Sequence, residues 1–228
     1  MNLKMQAAQY ALDYVRPGMI LGLGSGSTTE YFIDLLGERY RTGSLEGIHA
    51  VPTSRATAKQ ARAWGIPITT LSENPALDLA VDGADEVDPQ LNLVKGLGRA
   101  LLREKVVEFR SQRLIIIVDE SKLVSCLGEK VPLPVEIIKF ESQAHMIWLE
   151  TLGCHTEQFC EENGSPVVTD NGNYLVGCYF ENGIAEPYQL ARVLADQPGI
   201  VEHGLFLDVA SQVIVAGQVG IRILERQE

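Results

Sequence analysis

Basic residues are in short supply. The 228-residue chain has 19 Lys and Arg against 30 Asp and Glu, a formal charge of −11. A protein that binds duplex nucleic acid through its phosphates is usually basic, so that partner class is not expected. A local basic pocket stays open, because net charge says nothing about one site. Cysteine is scarce too: Cys126, Cys154, Cys160 and Cys178, with no C-x-x-C pair. That is too few and too scattered for a disulfide scaffold. Cys154 precedes His155, but no further zinc ligands accompany them in the sequence. No apolar run approaches the roughly 18 residues of a membrane span. The start, Met1-Asn2-Leu3-Lys4-Met5-Gln6, has no apolar signal core. These absences point to a cytoplasmic protein with reduced thiols.

What is present is ordinary globular material. Apolar residues make up 46% and charged residues 21%. At about 150 residues per domain, the length suggests one or two domains. Short apolar strands alternate with helical patterns up to about residue 118. Helices are expected over 3–15, 28–37, 54–64 and 99–109. Strands are expected at 19–21, 48–51, 66–68, 77–81 and 114–118. Such alternation means an α/β domain with a mainly parallel sheet. The texture changes near residue 130. A proline-punctuated extended stretch at 131–135 precedes a helix over 142–152. A hairpin of 167–169 with 174–179 follows, then a helix over 187–195 and a strand from 199. This β-α-β-β-α-β order suggests a small ferredoxin-like subdomain. Residues 212–216 read as a strand that rejoins the first sheet.

Three motifs could carry chemistry. The first is Gly22-Leu23-Gly24-Ser25-Gly26-Ser27-Thr28, between a strand and a helix. Glycines let the backbone turn tightly, and a helix start offers free N–H groups to a phosphate. Ser25, Ser27 and Thr28 add hydroxyls. A P-loop fits poorly because no Lys follows. A dinucleotide fingerprint fits poorly because the third Gly is misplaced and the next strand ends in Pro52-Thr53-Ser54 rather than an acid. The second motif is Asp82-Gly83-Ala84-Asp85-Glu86-Val87-Asp88. It follows a strand, at the sheet edge where open α/β folds bind ligands. On composition alone it is equally a solvated acidic loop. The third is Lys95-Gly96-Leu97-Gly98-Arg99, running into a helix that carries Glu104. By itself Glu104, between Arg103 and Lys105, reads as a surface residue. Lys122, after the strongest strand, reads the same way.

Taken together and in order, these segments resemble ribose-5-phosphate isomerase of the A type. The resemblance spans essentially the whole chain. It also rests on Leu101-Leu102-Arg103-Glu104-Lys105, Asp119-Glu120-Ser121-Lys122, Pro132-Leu133-Pro134-Val135-Glu136, Val168-Thr169-Asp170-Asn171-Gly172-Asn173 and Pro198-Gly199-Ile200-Val201. The expected architecture is a Rossmann-like catalytic domain, 1–128 plus 206–228, with a smaller ferredoxin-like α+β subdomain over 129–205.

The resemblance implies interconversion of D-ribose 5-phosphate and D-ribulose 5-phosphate in the non-oxidative pentose phosphate pathway, with no metal and no organic cofactor. Glu104 matches the family's base. Asp82, Asp85 and Lys95 match groups around the reacting end of the sugar. Ser25, Gly26, Ser27 and Thr28 match the substrate loop, with Gly83, Ala84, Gly96, Leu97 and Gly98 beside the substrate. Lys122 matches a substrate-binding lysine, and Lys4 aligns with a further phosphate contact of some members. The implied partner is a sugar phosphate, with no nucleic acid and no membrane, and the implied assembly is a homodimer or homotetramer. One departure stands out: Leu97 and Arg99 interrupt a longer glycine run. This predicts a shifted backbone or altered affinity with the chemistry kept. Two alternatives come from other classes. A non-catalytic sugar-phosphate sensor would carry a DNA-binding module or lack the acid. A related isomerase or deaminase would act on another sugar phosphate.

Overall fold

The computed structural model describes residues 2–226. In chain order its helices are α1 (Leu3–Ala11), α2 (Ser27–Arg41), α3 (Arg55–Trp64), α4 (Leu101–Glu108), α5 (Ser142–Glu150) and α6 (Pro187–Asp196). Its strands are β1 (Ile20–Leu23), β2 (His49–Pro52), β3 (Leu79–Asp82), β4 (Glu86–Val87), β5 (Leu93–Val94), β6 (Leu114–Asp119) and β7 (Leu133–Ile137). They continue with β8 (His155–Gln158), β9 (Tyr174–Tyr179), β10 (Ile200–His203), β11 (Leu205–Phe206), β12 (Gln212–Gly217) and β13 (Gly220–Glu225). Two compact units divide the chain. The first runs to Ala84, resumes over Arg103–Lys122 and again from Val209. The second comprises Asp85–Leu102 and Leu123–Asp208.

The first unit is built on a six-stranded sheet, ordered β13-β12-β6-β3-β1-β2. Five strands are parallel and only β13 runs antiparallel, at an edge. Leu21, Leu23, Leu79, Val81, Ile115 and Ile117 are buried in one core with Phe32, Ile33 and Leu36 of α2 and Ala7, Ala8 and Ala11 of α1. The alternation of these strand residues shows that they share one sheet face. Val51 and Leu77 form a second cluster with Val107 of α4. Local chemistry sets the helix ends. Ser54 caps α3 by accepting from the Thr57 N–H, and Gly65 closes it at φ 81°.

The second unit holds a four-stranded antiparallel sheet ordered β10-β7-β9-β8. With α5 and α6 in the connections, this is the ferredoxin-like β-α-β-β-α-β pattern. The hairpin partner differs from expectation, however. β9 pairs with β8, while Val167-Val168-Thr169 contributes only an isolated bridge from Val168 to Tyr174. β8 reads His-Thr-Glu-Gln, with only Thr156 buried, so its apolar pattern is too weak to see in sequence. Thr169 is occupied otherwise: its hydroxyl donates to the buried Glu136 carboxylate, as do the amides of Asn171 and Asn173.

Residues 85–102, 123–128 and 206–208 were expected in the first domain but fall in the second unit. For 85–102 and 206–208 the reason is a small sheet of β4, β5 and β11, each strand two residues long and invisible to periodicity. The expected strand at 66–68 reduces to one bridge, Ala50 to Ile68. Met1 and residues 227–228, the ends of the expected first domain, lie outside the described residues. All four cysteines are free thiols. The hydrogen bond with Cys154, together with burial, pushes the Cys178 thiol well above its usual range. Among the described residues, no helix is long and apolar enough to cross a membrane.

Candidate active site

β1 is flanked by β2 on one side and β3 on the other. The chain therefore reverses its direction of winding there, the place where open α/β sheets leave a crevice at the strands' carboxyl ends. The glycine loop leaves β1 at this point, and Asp82 ends the neighbouring β3. Asp82 is fully buried. Its Oδ1 accepts from the Ser25 N–H at 3.0 Å, the Gly83 N–H at 2.7 Å and the Thr29 hydroxyl at 3.0 Å. Gly24 is required here: a Cβ would fall 1.9 Å from Asp82 Cγ. The expectation of an acidic stretch that is either solvated or used thus resolves for Asp82, which is bound and inaccessible to bulk water.

The loop ends in α2. Gly26, at φ 110°, precedes the helix, so the first N–H groups of Ser27, Thr28 and Thr29 lack intrahelical partners. A 15-residue helix places the positive end of its dipole there. Lys4 Nζ donates to Ser27 Oγ at 2.7 Å, bringing a cation to the same turn. Ser25 Oγ lies 2.8 Å from Thr53 Oγ1 and 3.1 Å from Thr57 Oγ1. Thr57 in turn donates to the Gly24 carbonyl at 2.8 Å. Thr53 and Thr57 are buried, and sequence reasoning passed over both. The available signal was the run of hydroxyl residues after β2. Lys122 sits in a 3-10 turn directly after β6, at the same carboxyl edge and half-buried.

Helix α4 carries the strongest anomaly in the first unit. Its inward positions hold Leu101, Glu104, Val107 and Glu108, all 5% exposed or less. Val106 and Phe109 are 40% and 56% exposed. The helix therefore buries acids where amphipathic spacing calls for apolar residues. The reading of Glu104 as a surface residue fails on this point: it is 2% exposed. Glu104, Glu108 and Asp82 each offer a carboxylate oxygen within 4.8 Å of the others. This set has the donors to hold a divalent cation, and equally the arrangement for moving protons between oxygens. Glu108 was missed in the sequence, although it lies four residues after Glu104 on the same face.

The second unit carries Asp85, Lys95 and the loop that follows. Asp85 Oδ2 accepts from the Leu97 N–H at 2.9 Å, which pins the turn. Lys95 is 2% exposed. Gly96 has φ 116°, and the Arg99 N–H closes a turn on the Gly96 carbonyl at 2.9 Å. Leu97 is half-buried and Gly98 exposed. Arg99 takes the left-handed φ of 67° and pairs with Glu161 at 2.7 Å. The bulk introduced by Arg99 is thus carried out to an exposed ion pair.

Comparison with known proteins gives a consistent picture. The family model for ribose 5-phosphate isomerase A (phosphoriboisomerase A) matches residues 49–220. A Roseiflexus castenholzii protein named ribose-5-phosphate isomerase A is 47% identical over 222 residues, covering 97% of this chain and 94% of its own. An Arabidopsis thaliana protein named "Probable ribose-5-phosphate isomerase 3, chloroplastic" is 43% identical, covering 99% of this chain and 83% of its own. A solved D-ribose-5-phosphate isomerase in complex with phospho-erythronic acid superimposes with a TM-score of 0.96 at 43% identity, covering 99% of this chain and all of that one.

Proposed function

The chain belongs to the ribose 5-phosphate isomerase A family, and from that we infer how its residues interconvert D-ribose 5-phosphate and D-ribulose 5-phosphate. It is an aldose–ketose isomerase of the pentose phosphate pathway. The reaction opens the sugar ring and then moves a proton between C2 and C1 through an enediol(ate). We assign both proton transfers to Glu104. One carboxylate suffices if it lies over both carbons. The observation that carries this assignment is the burial of Glu104, 2% exposed, on the inward face of α4 beside Leu101 and Glu108. A base in a restricted pocket keeps its proton chemistry away from bulk water.

Three donors on one oxygen fix the position of the Asp82 carboxylate, and Asp82 is proposed to shuttle protons during ring opening. Asp85 is proposed to share that work, and Lys95 to stabilise charge as it develops on the sugar oxygens. The phosphate is assigned to the N-terminus of α2, with Ser25, Gly26, Ser27, Thr28 and Lys122. Anchoring it there fixes the distance to the reacting carbons, and binding energy at the anchor lowers the barrier elsewhere. Gly83, Ala84, Gly96, Leu97 and Gly98 are proposed to contact the sugar through their backbone.

We further propose a cytoplasmic homodimer. Phe140 and Ile147, 76% and 59% exposed, support a partner copy. Sedimentation at micromolar concentration tests it, and a monomer at all concentrations refutes it.

The deciding experiment is conversion of ribose 5-phosphate by wild type beside Glu104→Gln. The expected result is a kcat loss of about 10²–10⁴-fold, the contribution of a general base. KM should stay near the wild-type value. Equal activity would overturn the assignment and move it to Asp82 or Asp85.

A further inference from the structure

Lys95 presents a physical problem that its assigned role does not explain. Burying an ammonium costs free energy unless electron density meets it. One contribution within the second unit comes from an aromatic ring. Lys95 Nζ lies 5.4 Å from the centroid of Phe206. Phe206 is fully buried and Lys95 is 2% exposed, so water does not screen the attraction. A cation within about 6 Å of a ring is attracted by the ring quadrupole, most strongly when desolvated.

The backbone makes this placement specific. β11 pairs antiparallel with β5, setting Leu205 opposite Val94 and Phe206 opposite Leu93. The ladder continues one step: the Lys95 N–H donates to the Gly204 carbonyl at 2.9 Å, and the Gly204 N–H donates to the Pro134 carbonyl at 2.7 Å. Lys95 is two residues beyond Leu93, so it shares a sheet face with Phe206 as a diagonal neighbour. Gly204, opposite Lys95, must lack a side chain. A Cβ there would fall 2.2 Å from the Lys95 carbonyl oxygen.

We propose that Phe206 is a positioning residue for the isomerisation. Its ring holds the Lys95 ammonium in place, while Gly204 fixes the Lys95 backbone. The proposal rests on the reading of Lys95 as the group that stabilises developing oxyanion charge. Phe206 touches no reacting atom and acts through Lys95. A misplaced or mobile ammonium would still allow the phosphate anchor to bind substrate. The loss therefore falls on kcat rather than KM.

The test replaces Phe206 site-specifically with mono-, di- and trifluorinated phenylalanine. These keep the shape of the ring and progressively weaken its negative face. The expected result is a stepwise fall in kcat, reaching about 5–30-fold by the full loss of a desolvated contact. KM should stay within about twofold and the melting temperature nearly constant. Phe206→Leu should fall at least as far, and Phe206→Tyr should recover most of the activity. A flat kcat across the fluorinated series would overturn the proposal. So would a fall in melting temperature that accounts for the whole loss. Lys95→Met, measured alongside, separates the two readings. If it keeps wild-type kcat, the role of Lys95 fails, and this proposal with it. If it is slow while the fluorinated series is flat, Lys95 stands and only the ring's role is lost.

Discussion

Gly24→Ala is the sharpest perturbation available at the site, because a single methyl must occupy space already filled by a carboxylate. The added Cβ would lie 1.9 Å from Asp82 Cγ, 2.0 Å from Oδ1 and 2.4 Å from Cβ. Carbon atoms in contact prefer roughly 3.5–4.0 Å, so Asp82 cannot stay where it is. Moving it breaks at least two of the bonds from the Ser25 N–H, the Gly83 N–H and the Thr29 hydroxyl. Each hydrogen bond to a charged group contributes about 1.5–3 kcal/mol, so losing two of the three costs about 3–6 kcal/mol. That is a large part of a typical domain stability of about 5–15 kcal/mol. A shift of about 1 Å at the site should also lower kcat by about 10²-fold. Urea unfolding and the isomerase assay read the two effects together. Gly83→Ala is the control. A Cβ there meets only the Ile117 carbonyl oxygen, at 3.8 Å, so its stability should change by less than about 1 kcal/mol. A Gly24→Ala protein with wild-type stability and wild-type kcat would refute the account of Asp82.

Lys122→Ala should raise KM for ribose 5-phosphate about tenfold or more with less effect on kcat, since it removes the proposed phosphate contact; steady-state kinetics will show the split. An unchanged KM would remove Lys122 from the anchor. Glu86→Gln should lower unfolding free energy by about 2–4 kcal/mol, because the Glu86 carboxylate is fully buried and accepts from the Gly128, Lys130 and Val131 N–H groups. Denaturant titration measures it, and a neutral result would mean the 128–131 loop is held by other contacts. Glu161→Gln should change kcat/KM by no more than about threefold. Its pair with Arg99 is roughly half exposed on both sides, and such pairs contribute about 0–1 kcal/mol. Exhaustive dialysis against a chelator should leave activity intact if the Asp82, Glu104 and Glu108 carboxylates serve proton transfer. Activity that disappears and returns with a divalent ion would reassign them as ligands.

Much of the fold was legible because its signals are local. The apolar run Leu114-Ile115-Ile116-Ile117-Val118 is the clearest buried-strand signal in the chain, and Ser54 and Gly65 mark both ends of α3 in the sequence. The parallel sheet followed from strands alternating with helices. The short β4, β5 and β11 were not legible, since two residues carry no period. β8 was hidden because its apolar content is low and its place is set by β9. At the site, the glycine loop announced itself through backbone freedom, which is a property of residue type.

Glu104 marks the boundary between the two kinds of information. By itself, the sequence determined that a carboxylate sits early in a helix after a Lys-Gly turn, and resemblance to a family supplied a role for it. Nothing in the local pattern shows that Glu104 and Glu108 share the buried face of their helix with Leu101 and Val107. Burial depends on what packs against a face, and those neighbours come from distant parts of the chain. Asp82 is 58 residues from Gly24 along the chain, yet its carboxylate fills the space a side chain at Gly24 would need. Lys95 meets the ring of Phe206 across 111 residues, because a two-residue strand pairing sets them on one face. The sequence determines which groups are available. Only tertiary packing decides which are desolvated and which stand within reach of one another, and those two quantities control their chemistry.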